Sequence, residues 1–145
     1  MDLDEKTSIG VATRDEDIMK CFPTLQELRP HLEQASFLER VRAQQTQGYQ
    51  LACVTHGGMC LAVAGFRIVE NFAWGRFLYV DDLVTAATAR SGGHGASLIA
   101  WLEGYGREHG CQQLHLDSGA QRKDAHRFYL REHYDISCFH FEKHL

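Results

Sequence analysis

The 145-residue chain has only two prolines and no Pro/Gly-rich or single-residue tract, which excludes disordered and collagen-like proteins. It has no run approaching the roughly 18 apolar residues of a membrane-crossing helix, so none is expected. Met1-Asp2-Leu3-Asp4-Glu5-Lys6 is acidic where a signal peptide is basic and then apolar, which points to the cytoplasm. Excess positive charge is missing too. Fifteen Lys and Arg against 19 Asp and Glu leave a net charge of -4, so the overall field favours neither nucleic acid nor anionic membrane as a partner. The five cysteines (21, 53, 60, 111, 138) are odd in number and contain no C-x-x-C pair, the pattern of reduced thiols scattered through a cytosolic fold. Nine histidines occur without H-E-x-x-H, H-x-H or Cys/His spacing, and no metal is expected.

What remains is an ordinary globular composition, 44% hydrophobic and 23% charged. A chain this long buries roughly two-thirds of its unfolded surface around one core, so residues 1–145 read as a single domain with residues 1–6 frayed. Ser8 to Thr13 alternates weakly as an edge strand. Asp15-Glu16-Asp17 opens a helix carrying Ile18, Met19 and Phe22, which Pro23 and Pro30 then punctuate. A second amphipathic helix runs from His31 to Gln47 and stops at Gly48. Tyr49–Val54 and Met59–Ile68 flank Thr55-His56-Gly57-Gly58, a hairpin signal, and Arg76–Thr85 adds a third strand to the meander. A helix over Gly93–Gly110, a strand over Gln112–Leu116, a helix over Lys123–His133 and a last strand over Asp135–Phe141 complete a mixed α/β order.

The sharpest motif is Ala89-Arg90-Ser91-Gly92-Gly93-His94-Gly95-Ala96, between a strand and a helix. Glycines let the backbone turn tightly. Free N–H groups at the helix start then face an anion with the helix dipole behind them, and Arg90 adds a charge-assisted bond. The chemistry implied is pyrophosphate binding. A P-loop would end in G-K-S/T and a dinucleotide fingerprint would read G-x-G-x-x-G, and neither is present.

Arg90, Gly93 and Gly95 fit the pattern R/Q-x-x-G-x-G/A, and Ala125-His126-Arg127-Phe128-Tyr129 fits a later A-x-x-F-Y segment. With both motifs at the expected places in this element order, the chain resembles the GNAT superfamily of N-acetyltransferases over nearly its whole length. The resemblance implies a mixed, mostly antiparallel sheet with a splay between strands 4 and 5, flanked by about four helices. It implies acetyl-CoA as co-substrate, its pantetheine arm along Leu83 and Val84 and its pyrophosphate on the N–H groups of Ser91, Gly92, Gly93, His94, Gly95 and Ala96. Thr85-Ala86-Ala87-Thr88 departs from the family, whose members often carry a proline and an acidic residue there.

Acetyl transfer to an amine needs an acid for the departing sulfur and an acceptor for the amine proton. By resemblance Tyr129 is the acid, although a tyrosine beside Phe128 is equally at home in a core. Asp81 and Asp82 interrupt an apolar strand. Successive side chains alternate faces, so at most one points inward unless a bulge intervenes, and both are costly unless paired or functional. Asp82 is the favoured base or amine-binding residue, with Asp81, Asp117 and Ser118 as further substrate contacts. His115, His126 and His140 are candidates for a proton relay, as imidazole is the side chain suited to one, with structural roles the better reading. Arg122, Lys123, Arg127 and Arg131 read as a solvated basic face.

The sequence therefore points to transfer of acetyl from acetyl-CoA to a primary amine by direct attack in a ternary complex, with backbone near Leu83-Val84 polarising the carbonyl. The alternatives are a non-catalytic acyl-CoA-binding sensor and an interaction module using its sheet edges. Polyamines, aminoglycoside-like compounds and peptide amines are not ranked as acceptors. An exposed edge strand offers a route to a homodimer.

Overall fold

In the computed structural model residues 7–145 are described, and the chain divides into two compact units meeting between His115 and Leu116. The expected frayed segment, residues 1–6, lies outside the described residues. The elements are β1 (Thr7–Val11), α1 (Asp15–Leu28), α2 (Gln34–Gln45), β2 (Gln50–His56), β3 (Met59–Asn71), β4 (Gly75–Thr85), α3 (His94–Glu108), β5 (Gln113–Leu116) and α4 (Lys123–Arg131), with a 3-10 turn at Ala87–Ala89. They form a five-stranded open sheet in the order β1-β2-β3-β4-β5. Strands β1 to β4 are antiparallel to their neighbours and β5 is parallel to β4, so the sheet is mixed and mostly antiparallel, as expected.

The β2–β3 hairpin closes through Gly57 and Gly58, both at positive φ (58° and 81°), the backbone a two-residue primed turn demands. One face of the sheet is covered by α1 and α2, where Ile18, Cys21, Phe22, Leu25, Phe37 and Val41 pack on Leu51, Cys53 and Val63. The other is covered by α3, whose Leu98, Ile99 and Leu102 are fully buried, with Trp101 and Tyr105 set edge-on to Phe66. At the start of β5, Gln112 N–H donates to the Arg76 carbonyl at 3.1 Å. β5 is four residues long against eleven in β4, whose Leu83 and Val84 pair on one edge with Ala64 and Val63 of β3.

Three expectations need correction. Pro23 does not end α1, which runs on to Leu28. An interior proline costs roughly 3 kcal/mol, and burial of Cys21, Phe22, Thr24 and Leu25 around it outweighs that. Asp135–Phe141 forms no strand. A strand needs a partner ladder, and among the described residues none pairs with this segment, whose Ile136, Phe139 and Phe141 are exposed. The thiols are not all scattered either: the sulfurs of Cys21, Cys53 and Cys60 lie within 4.8 Å of one another. The Cys21 thiol donates to the Asp17 carbonyl at 3.5 Å and the Cys60 thiol to the Ala62 carbonyl at 3.6 Å, and burial pushes both thiols up.

In the second unit His126 Nε2 bonds the Gly119 carbonyl at 2.7 Å, and Tyr134 N–H returns to the Tyr129 carbonyl at 3.0 Å, closing the end of α4. Replacing the fully buried Leu102 by Ala should lower unfolding free energy by roughly 3 kcal/mol. Replacing the fully exposed Phe72 by Ala should change it by less than about 0.5 kcal/mol. Chemical denaturation of the two variants checks this, and equal losses would contradict the core as placed.

Candidate functional site

The turn from β4 into α3 is pinned at its start. Ala86 N–H donates to the Leu61 carbonyl of β3 at 2.8 Å, and Ala87 N–H to Glu27 Oε1 of α1 at 2.9 Å. Beyond Arg90 the backbone turns through Ser91 (φ 73°) and Gly93 (φ 76°), both left-handed. Gly93 adopts this freely, whereas a serine there costs on the order of 1–3 kcal/mol, strain that gathers at binding loops. The first bond inside α3 runs from Ser97 N–H to the Gly93 carbonyl at 3.0 Å. The N–H groups of His94, Gly95 and Ala96 therefore have no partner within the helix, and no side chain caps it. They lie on an exposed to half-buried surface, beginning four residues on from the exposed Arg90, the make-up of an anion cradle. All seven residues predicted for this turn, Arg90 to Ala96, come together in it.

Farther back on β4 the register shifts: Phe66 faces Val80 and Gly65 faces Asp82, leaving Asp81 as the extra residue of a bulge. The bulge turns both aspartates toward partners from the end of α1, the approach to β2, and β3. Arg67 of β3 grips Asp81 through Nε (3.1 and 3.0 Å) and Nη2 (2.9 Å), and its Nη2 also donates to Gln44 Oε1 at 2.6 Å. Asp82 accepts Arg29 Nε on Oδ1 at 2.8 Å and the Tyr49 hydroxyl on Oδ2 at 2.9 Å. Arg29 Nη2 also reaches the Asp81 carbonyl at 3.1 Å, and the Arg67 guanidinium lies 5.2 Å from the Tyr49 ring centre. Burial, with the Asp82 charge beside it, pushes the Tyr49 phenol far above its ordinary pKa, so it is a fixed donor. The bidentate bond to Asp81 raises the Arg67 pKa.

The hydroxyl of Tyr49 passes directly over Gly65. A methyl group there would stand 2.0 Å from Tyr49 Oη and 2.7 Å from Asp82 Oδ2. Only glycine leaves room for this bond.

In the second unit Tyr129 packs edge-on against Phe128 and Tyr134, with ring centres 5.2 and 6.1 Å away. Burial raises its pKa, against a smaller lowering by Arg122, so it holds its proton well into the alkaline range. Asp117 lies 3.5 Å from His140 Nδ1. Ser118 Oγ is buried with no hydrogen-bond partner, a cost of about 1–3 kcal/mol that a bound polar group would relieve. His115, in the first unit, stacks on Trp74 at 3.9 Å and bonds Gln113 at 2.7 Å, a structural setting. On α4, Arg127 pairs with Asp124 of the same helix.

Residues 14–134 match the profile of the acetyltransferase (GNAT) family. The chain belongs to the GNAT family of acetyltransferases. An uncharacterized N-acetyltransferase, YhdJ, of Bacillus subtilis is 33% identical over 133 residues, covering 90% of this chain and 94% of that protein. The aminoalkylphosphonate N-acetyltransferase of Salmonella typhimurium is 41% identical over 64 residues, 44% of this chain and 42% of that protein. In three dimensions the chain is similar to a crystal structure of a transcriptional regulator from Bacillus halodurans, with a TM-score of 0.83 and 21% identity over 96% of this chain and 99% of the other. The enzyme is thus an acetyltransferase on the GNAT fold. Where the loop departs from the family pattern at Thr85–Thr88, a carboxylate still reaches it, from Glu27 of α1.

Both aspartates stand out in the sequence, but Tyr49, Arg29, Arg67 and Gln44, which lie 14 to 53 residues away from them, do not. One signal was available: Gly65 interrupts an apolar strand, the mark of a bulge or a close approach. Gly65→Ala should cost roughly 2 kcal/mol or more, since Tyr49 must leave its carboxylate. Tyr49→Phe, which keeps the ring, should cost about 1 kcal/mol. Thermal and chemical unfolding measure both, and a neutral Gly65→Ala would contradict the contact.

Proposed function

We propose that the enzyme transfers the acetyl group of acetyl-CoA to the primary amine of a small molecule, residues 14–134 working as one GNAT domain. The observation that carries this reading is the turn Arg90–Ala96, with left-handed Ser91 and Gly93 ahead of three helix N–H groups that have no partner within α3. A pyrophosphate supplies the acceptors those donors lack. Leu83 and Val84, near the C-terminal end of β4, are the backbone assigned to the pantetheine arm and to polarising the carbonyl. The partial relative's name, an aminoalkylphosphonate acetyltransferase, supports a small amine over a protein acceptor.

When bound, acetyl-CoA supplies an activated acyl group. The amine nitrogen attacks it directly, so a C–N bond forms as the C–S bond breaks. Asp82 holds the incoming amine and takes its proton. Each of its oxygens already accepts one bond and keeps a second lone pair for an N–H donor. Asp81 adds negative charge beside Asp82 on β4, while in the second unit Asp117 and Ser118 keep the substrate-binding role read from the sequence, the orphaned Ser118 hydroxyl taking a bond from a bound ligand. Tyr129 gives its proton to the departing sulfur. The expected setting is the cytoplasm, with neither nucleic acid nor membrane as partner.

Calorimetry with acetyl-CoA tests the first half: saturable binding that Arg90→Ala weakens about tenfold and Gly93→Val abolishes supports the reading, and no binding by the folded wild type overturns it. Tyr129→Phe should bind acetyl-CoA as the wild type does and lose roughly 100-fold in kcat with a small alkylamine. Because burial raises the Tyr129 pKa, kcat should not fall on the alkaline side until above about pH 10. A drop near pH 8, or full activity in Tyr129→Phe, would remove Tyr129 as the acid.

A further inference from the structure

Three cysteines from α1 and the β2–β3 hairpin meet in the core beneath α1. Cys21 lies on the inward face of that helix and is fully buried, Cys53 is buried on β2, and Cys60 is half-buried on β3. Their sulfurs lie no more than 4.8 Å apart. A second bulge makes this possible. Val54 faces Ala62 while Thr55 faces Cys60, so Leu61 is an extra residue in β3. Cys60 and Val63 are three apart and would point to opposite faces of a regular strand. The extra residue brings Cys60 onto the face of Val63 and Cys53, toward Cys21. α1 is tied to the same spot by Thr24 Oγ1, which donates to the Cys60 carbonyl at 2.9 Å.

We propose that Cys21, Cys53 and Cys60 form a three-sulfur site for a soft, thiophilic metal ion, with monovalent copper the cation whose coordination it suits. The donor set is sulfur alone, which selects soft ions and rejects magnesium, calcium and manganese. Three sulfurs around a central ion with metal–sulfur bonds of about 2.3 Å stand about 4 Å apart, a contraction of under an ångström from the separations present. Structural zinc takes four ligands, and the cluster offers three, a number that suits a three-coordinate ion. The half-buried Cys60 gives the ion a way in. On binding, three S–H bonds break, three metal–sulfur bonds form and three protons pass to solvent, with no change in oxidation state. Nothing in acetyl transfer uses these thiols, so the site is independent of the proposed function.

The test is an anaerobic titration of the whole reduced chain with monovalent copper against a chromophoric copper chelator. The expected result is one copper per chain, bound at least 100-fold more weakly by Cys60→Ser and unchanged in Cys111→Ser/Cys138→Ser. X-ray absorption should show only sulfur neighbours, at about 2.3 Å. Because Cys21 and Cys53 are in the core, Cys60→Ser is the informative variant, with circular dichroism confirming its fold. Copper should also raise the melting temperature of the wild type and not of folded Cys60→Ser. No stoichiometric binding by the wild type, binding that survives Cys60→Ser, or binding that follows Cys111 and Cys138 would each overturn the proposal.

Discussion

Two adjacent carboxylates on an interior strand are the constraint around which the first unit is arranged. Asp81 and Asp82 interrupt an apolar β4, and a regular strand would send one of them among the side chains under α3. The bulge at Asp81 removes that conflict by turning both to one side, where cations and a phenol wait. Each of those partners then depends on something else. Arg29 is available because α1 persists through Pro23 to Leu28 and ends beside β4. Arg67 is held between Asp81 and Gln44 of α2. The Tyr49 bond exists only because residue 65 has no side chain. Breaking any one leaves a partly buried charge short of a partner, which costs more than the pair itself contributes.

In the proposed function the same geometry would serve catalysis. A carboxylate that is to receive a substrate amine must be fixed in position yet keep acceptor capacity. Asp82 meets both needs, with one donor on each oxygen. The anion cradle follows a related logic. Glu27 of α1 and Leu61 of β3 clamp the two peptide groups at its start, so α3's open N–H groups are presented from a fixed frame while Ser91 and Gly93 carry the strained turn.

Much of this was legible in the chain. Helix α3, the β2–β3 hairpin and the Arg90–Ala96 turn are written in local patterns: apolar residues at helical spacing, two glycines between apolar runs, a glycine cluster between strand and helix. The partners of the aspartates were not legible, because a charge's partner 14 or 53 residues away leaves no periodic trace. The gathering of the cysteines was hidden for a similar reason. It rests on one extra residue at Leu61, which flips the face of Cys60 without altering the strand's composition. Asp135–Phe141 shows the converse: alternation alone marks a segment able to form a strand, and the ladder must come from elsewhere.

The central claim is that the loop backbone, rather than any single side chain, receives the pyrophosphate. Amide chemical shifts of the isotopically labelled enzyme during titration with coenzyme A test it most directly. The account predicts that the largest, saturable changes fall on the N–H groups of Ser91 to Ala96, with smaller ones at Leu83 and Val84. Saturation with those amides unmoved, or with changes centred elsewhere, would contradict it.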